Sequence, residues 1–581
     1  MRSVPTSSEA TSATSSTSPS SPSSLRTRLS RFFPFLLWPR PNAALARSEI
    51  IAGVTVGLIV VPQSVAYGAL AGMPVVTGIY AALLPSLVAA LFSASPRLAV
   101  GPTALSCLLV YASLSGLAEP GSAQWVALAM WLSLLSGVMQ IVLGTGRFGW
   151  VLHLVSSPVL MGFTQAATVL IIGSQLPALV GLSTASAAWW PLASVHMDGY
   201  AAAFGLCSLL ALALGKRFWP HFPTVLLCIV GAAAASWFWR FGAQGGSVIG
   251  ALPSGLPSLQ LPQVISLETL GGLIVPAMVI TLVSFLETAS SAKVENQQTR
   301  QPWNENQDLI AQGLAKLASA VTGSFPTSSS FSRSALNLYA GARTGWATMV
   351  TVAMVLVVLL WLTPALAFVP KAVLSAVVIA AILGVFKPMQ FVRLWQLSPV
   401  EAATAGLTFA VTLLTAPRIY WGVIAGVLMG LVHFLYQRLH PRIIEVGLHP
   451  DHSLRDRHLW KLPPLAPALY ALRMDAELDF AAASTLERNI TEHLAAHPDV
   501  QHVCLFAQPI NRIDATGVET FGQLRRALVE RQVTLHLSGI KLPVEKMLKR
   551  AGELPESPWL RLYRTDADAL VALQVLTVSS D

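Results

Sequence analysis

Two ionisable residues, Glu287 and Arg333, interrupt long apolar runs, and their neighbours suggest what chemistry they could do. Arg333 lies in SFPTSSSFSRSALNLYAG, Ser324 to Gly341, beside a proline and a dense group of hydroxyls. A short half-helix opened by Pro326 and Thr327–Ser330 would point its unsatisfied N–H groups at whatever lies in front of it. Helix N-termini are ready-made anion sites, and half-helices at mid-membrane depth are how many transporters build them. Arg333 would add a full positive charge, whose burial costs about 3 kcal/mol on insertion scales, so it should face water or an anion. The alternative is an ordinary hydroxyl-rich loop with an interfacial arginine. Glu287 follows the apolar run Ile274 to Phe285, with Ser284 and Ser291 on its helical face. A carboxyl in a membrane interior can hold and release a proton. Two other readings stay open: Glu287 pairs with Arg333, or it stays solvated near the inner interface.

The elements that must position these residues are transmembrane. The chain has 581 residues, 54% hydrophobic and only 11% charged, with mean hydropathy +0.60. A soluble chain carries about 25% charged residues. The net charge of +9 does not require nucleic acid, because excess Lys and Arg line the cytoplasmic side of membrane proteins. Cys107, Cys207, Cys228 and Cys504 show no close pairing and read as small apolar residues, not disulfides or metal ligands.

Met1–Ser24 is mostly Ser, Thr, Pro and Ala, the composition of a disordered tail without the apolar core of a secretory signal. Arg26, Arg28, Arg31 and Arg40 surround FFPFLLW, a basic aromatic segment expected on the inner membrane surface. Residues 1–44 are thus tail and juxtamembrane segment, and 45–438 the transport domain. Candidate spans fall near 50–69, 74–93, 103–117, 123–144, 150–180, 199–215, 222–239, 270–290, 308–322, 331–341, 346–366, 372–386, 399–416 and 419–437, fourteen in all. The third and tenth are short, and the ninth is polar, with Lys316. With the N-terminus inside, the inner connections carry Arg97, Arg147, Lys216, Arg217, Lys293, Arg300, Arg343, Lys387 and Arg393. The outer ones carry Arg240, Lys371 and Arg418. That bias places both termini in the cytoplasm.

The two short spans begin alike, at AVGPTALSCLL (Ala99 to Leu109) and GSFPTSSSFS (Gly323 to Ser332), and each is third in a set of seven. Corresponding interrupted segments in two halves point to a midplane binding site, and a seven-span repeat must invert. Their N-termini would then face each other. GLIVVPQSVAYGALAGMPVVTGIYAALLPSLVAALFSAS, followed by PRLAVGPTALS, together with SFLETASSAK and SFSRSALN, strongly resembles the SulP family of sulfate permeases and anion exchangers. The resemblance implies a seven-plus-seven inverted repeat, with a substrate-carrying core moving elevator-like against a gate. It also implies that the anion meets Gln63, Tyr67, Thr103, Ala104, Ser332 and Arg333, and that Glu287 serves coupling to protons in some members and to other cations such as sodium in others. Gln63 could instead be an interhelical hydrogen bond, and Tyr67 an interfacial anchor.

Beyond Arg438 the composition turns polar. Residues 439–467 read as a linker whose histidines (His440, His449, His452, His458) fit no common zinc spacing. Residues 468–581 alternate short strands and helices, as a soluble α/β domain does. INRIDATGVETF resembles the loop-to-helix turn of the STAS domain, where Thr516 matches a regulatory phosphorylation position. The stronger reading is that Asp514 and Thr516 cap the helix. With no nucleotide loop, metal cluster or nucleophile–base pair, the chain reads as no enzyme and needs no cofactor. The expectation is a multi-pass protein of the cytoplasmic (inner) membrane carrying a small oxyanion: sulfate first, by proton symport or anion exchange, with bicarbonate or C4-dicarboxylate as alternatives. An uncoupled anion channel, or a regulatory protein anchored by its membrane region, belongs to other classes. The resemblance further implies a homodimer and allows a partner protein at the STAS domain.

Overall fold

The computed structural model describes residues 33–183, 196–218, 224–253, 255–300 and 303–578. The serine-rich tail and Arg26, Arg28 and Arg31 lie outside the described residues. The chain divides into one compact unit up to Gly430 and another from Leu431.

Each of the fourteen expected spans contains helix. They are α1 (Ala43–Leu70), α2 and α3 (Val75–Ala81, Leu84–Phe92), α4 (Ala104–Leu114), α5 (Ala123–Thr145), α6 (Ser157–Leu179), α7 (Gly199–Phe218), α8 (Thr224–Phe238), α9 (Leu267–Thr299), α10 (Glu305–Val321), α11 (Phe331–Tyr339), α12 (Trp346–Val357), α13 (Lys371–Leu383), α15 (Pro399–Leu414) and α16 (Tyr420–Leu439). An extra helix, α14 (Met389–Leu397), has no buried residue. Among the described residues, by length and composition, 7 of the spans are long and apolar enough to cross a membrane, and five others carry apolar stretches of 10–17 residues. Helices α1–α5 pack with α9–α12, and α6–α8 pack with α13 and α15. Small residues let the backbones close in: a Cβ on Gly313 in α10 would sit 2.7 Å from the Gly137 carbonyl oxygen of α5.

Helix ends inside this unit are closed by acids from other elements. Glu49 of α1 is buried and accepts the N–H groups of Arg343 and Thr344 at 2.9 Å and of Ala347 at 2.8 Å. It thereby satisfies donors that the start of α12 leaves orphaned. Asp308 of α10 accepts Ser93 Oγ at 2.6 Å, the Ala94 N–H at 2.8 Å and Trp303 Nε1 at 2.7 Å. The aromatic segment before α1 packs on these ends, with Phe33 5.5 Å from Phe92 and Trp38 5.7 Å from Trp346, ring to ring.

The second unit is a six-stranded sheet with helices. Its strands are β3 (Ile443–Leu448), β4 (Leu454–Asp456), β5 (Leu469–Met474), β6 (His502–Phe506), β7 (Thr534–Ser538) and β8 (Leu560–Tyr563), in the order β8-β7-β6-β5-β3-β4. β5 to β8 are parallel, and β3 runs antiparallel to both its neighbours. β3 and β4 fall within the stretch read from sequence as a linker. The inner parallel strands β5, β6 and β7 are almost wholly buried, as strands covered by helices on both faces must be, while the edge strand β8 buries only Leu560. His536 of β7 sits with Nδ1 3.0 Å from Tyr563 Oη and Nε2 3.2 Å from His502 Nδ1. Burial, reinforced by His502 and Arg561, holds its pKa down to about 4 from 6.5.

Two predictions follow from these contacts. Glu49→Ala strands three backbone donors and should destabilise the membrane unit by about 2–4 kcal/mol, read as a lowered unfolding temperature in detergent. The unfolded chain protonates His536 near 6.5 and the folded one only near 4, so the stability that neutral His536 contributes is complete above pH 6.5 and fades toward pH 4. The second unit, expressed alone, should lose thermal stability across that window, and His536→Leu should flatten most of the slope.

Candidate anion-binding site

Two broken helices build the site. Thr103 caps α4, its hydroxyl accepting the Ser106 N–H at 3.3 Å. Ser330 caps α11, accepting the Arg333 N–H at 3.5 Å. In front of the caps run two short strands, β1 (Val100–Gly101) and β2 (Ser328–Ser329), paired antiparallel with Val100 opposite Ser329 and Gly101 opposite Ser328. Ser86 Oγ donates to the Val100 carbonyl at 2.7 Å, and the Ser330 N–H to the Ala99 carbonyl at 3.0 Å. The pairing brings two helix N-termini, with their orphan N–H groups and positive dipole ends, to one place. Antiparallel meeting of corresponding segments is what an inverted repeat requires. The two Pro-Thr pairs are not equivalent, however. Pro102-Thr103 abuts α4, whereas Pro326-Thr327 precedes β2 and leaves the capping to Ser330.

Arg333 fills the space between the tips and is only 2% exposed. Its Nη1 donates to the Pro102 carbonyl at 2.9 Å and reaches Gln63 Oε1 at 3.5 Å. Nε and Nη2 have no hydrogen-bond partner among the described residues. A Cβ on Gly101 would sit 3.4 Å from Nη2, so the backbone here lies close along that edge of the guanidinium. Among the described residues no carboxylate oxygen lies within 4.0 Å of it, so the Glu287–Arg333 ion pair considered from sequence is not formed. Glu287 turns instead to the other tip, where Thr103 Oγ1 donates to its Oε2 at 3.1 Å.

Gln63, Tyr67, Thr103, Ala104, Glu287, Ser332 and Arg333 all line one cavity of about 410 Å³. Tyr67 is 7% exposed, which makes it an inner wall and no interfacial anchor. The facing wall comes from the other helix group, including Thr164 and Thr168 of α6 and Val377 of α13. A larger space of about 750 Å³, bounded by Tyr200, Phe204, Cys207 and Trp239, has among the described residues no charged one to replace an anion's hydration. Sequence reasoning placed Ser330 among the residues opening the half-helix without singling it out as the cap, and gave no role to Lys316, whose signal was a lone cation in a candidate span. In the second unit, Asp514 caps α17 (Ala515–Glu530), accepting the Gly517 N–H at 2.8 Å, while Thr516 is exposed on the first turn.

The fold and the charged cavity define a helical membrane anion transporter with a C-terminal α/β domain. The chain belongs to the sulfate permease family, whose profile matches residues 47–408, and the STAS domain profile matches residues 465–569. A probable sulfate transporter of Mycobacterium tuberculosis is 29% identical, over 91% of this chain and 95% of that one. The sodium-independent sulfate anion transporter of Bos taurus is 28% identical, over 90% and 88%. The fold is shared with the murine anion transporter Slc26a9 (TM-score 0.85, 19% identity, 96% of this chain and 97% of that one).

If the free guanidinium edge holds the anion, Arg333→Gln should weaken sulfate binding about 100-fold, the loss of roughly 3 kcal/mol in charge-assisted hydrogen bonds. Arg333→Lys should recover only part of it, a point charge lacking the planar fork. Sulfate-dependent thermal stabilisation of the purified variants measures both.

Proposed function

We propose that the chain takes up sulfate across the cytoplasmic membrane by proton symport, its core helices carrying the anion past the facing group in an elevator-like movement. The observation that carries this reading is the buried Arg333 guanidinium, with two nitrogens unpartnered between two converging helix N-termini. A sulfate ion would accept from Nε and Nη2, from the backbone N–H groups of Thr103, Ala104 and Ser332, and from the Gln63 amide. The Tyr67 ring would close the pocket. The relatives named as sulfate transporters support sulfate over bicarbonate or a C4-dicarboxylate. The bovine relative, named sodium-independent, supports a proton over sodium.

Coupling rests on Glu287. Its contact with the Thr103 hydroxyl links the carboxyl's protonation state to the cap of α4. A doubly charged anion entering against an inside-negative potential works against about 4.6 kcal/mol per 100 mV, which protons moving with it offset. The Lys and Arg bias supports cytoplasmic termini, and the family resemblance supports a homodimer. Uptake by proteoliposomes offered labelled sulfate, bicarbonate and C4-dicarboxylate, under imposed pH and sodium gradients, tests substrate and coupling together. Glu287→Gln, a permanent stand-in for the protonated acid, should abolish pH-driven accumulation while leaving binding and exchange. Undiminished pH-driven uptake by that variant would refute the coupling role.

A further inference from the structure

Lys316 of α10 is fully buried, 0% exposed, where Gly137 and Gly313 bring α5 and α10 into close contact. Its Nζ donates to Gln140 Oε1 at 2.8 Å and to Ser284 Oγ at 2.9 Å, both neutral partners. Gln140 Nε2 also donates to Ser284 Oγ at 2.9 Å, so the amide is fixed with its oxygen toward the ammonium. Among the described residues no carboxylate lies within 4.0 Å of this cation. The network nonetheless reaches the anion cradle. The Ser284 carbonyl accepts Ser328 Oγ of β2 at 3.0 Å, and Glu287 stands one turn further along the same face of α9.

The other buried acids of this unit are occupied elsewhere: Glu49 and Asp308 by backbone N–H groups, and Glu295 by Arg97 at 3.8 Å. The cradle is left with two cations, Arg333 and Lys316, facing one carboxylate, Glu287. A doubly charged anion neutralises that set when Glu287 is protonated. A singly charged anion neutralises it when Glu287 is ionised. We propose that Lys316, without touching the anion, sets the charge of the anion that the core accepts, and ties the divalent one to a proton. Without the lysine charge, a monovalent anion balances the core with Glu287 protonated, and a divalent one leaves it negative in either state. This inference rests on the transport reading above.

The test uses the full-length protein in proteoliposomes, with labelled sulfate and labelled nitrate offered at one pH gradient. Lys316→Met keeps the length and removes the charge. Gln140→Glu keeps the lysine and cancels its charge with a neighbouring carboxylate, so the question survives if Lys316→Met fails to fold. The sulfate-to-nitrate rate ratio should fall at least tenfold in each variant that elutes as a monodisperse species. An unchanged or raised ratio in a folded variant, including equal loss of both rates, overturns the inference. Wild-type protein that carries neither anion would instead overturn the transport reading itself.

Discussion

The pairing of Val100–Gly101 with Ser328–Ser329 is the contact on which the rest of the membrane unit depends. Two residues from each half, far apart in the chain, hydrogen-bond across the centre of the first unit. Without that pairing α4 and α11 would be two short helices with unsatisfied ends inside lipid, which no membrane protein sustains. With it, their N-termini share one small polar space in which Arg333 can be buried. The serines around it follow from the same constraint. Ser86, Ser330 and Ser334 supply the hydrogen bonds that irregular backbone needs when no water is at hand.

Apart from Glu295, paired with Arg97, the buried charges in this unit fall into two kinds, separated by what they touch. Glu49 and Asp308 meet several backbone N–H groups or hydroxyls each, and their charge is used to fix turns and helix starts. Arg333 and Lys316 keep donor capacity beyond the bonds they make, and neither has a carboxylate within salt-bridge distance among the described residues. Buried charges that are fully bonded hold structure, whereas a buried cation with a free edge waits for a counter-charge. The second kind sits beside the cavity or one hydrogen-bonded step behind it.

Much of this was legible from residue types because membranes impose simple rules. Apolar runs gave the helices from α1 to α16, with α4 and α11 short and α10 polar, except α14, whose sequence MQFVRLWQL alternates too freely between polar and apolar to read as a span. Arg333, Glu287 and the two Pro-Thr turns stood out because polar residues in lipid demand a reason. Tertiary partnerships were not legible. That Glu287 faces Thr103 and not Arg333, that Ser330 and not Thr327 caps α11, and that Lys316 has Gln140 and Ser284 for partners all depend on which helices adjoin. The stretch 439–467 misled for a related reason. Its charges suggested a solvated linker, but β3 buries Ile444 and Val446 against the sheet while Glu445 between them stays partly exposed.

The lining of the cavity bears on how such a site could move. Every charged or amide side chain in its wall, Gln63, Glu287 and Arg333, belongs to the group containing α1, α9 and α11. The opposing wall, from α6, α7, α8, α13 and Val385 just beyond it, offers Thr164, Thr168, Thr224 and aliphatic side chains. A binding site split across the two groups would have to break charge-assisted hydrogen bonds whenever they slid, at about 1.5–3 kcal/mol each. Here the anion's strong contacts would travel with one group, and only hydroxyl and van der Waals contacts would be exchanged on the other side. Smooth aliphatic and hydroxyl surface is also what shear between packed helices tolerates best. The asymmetry of the two walls is therefore compatible with the proposed movement, in which the anion would keep its charge-assisted contacts and exchange only weak ones.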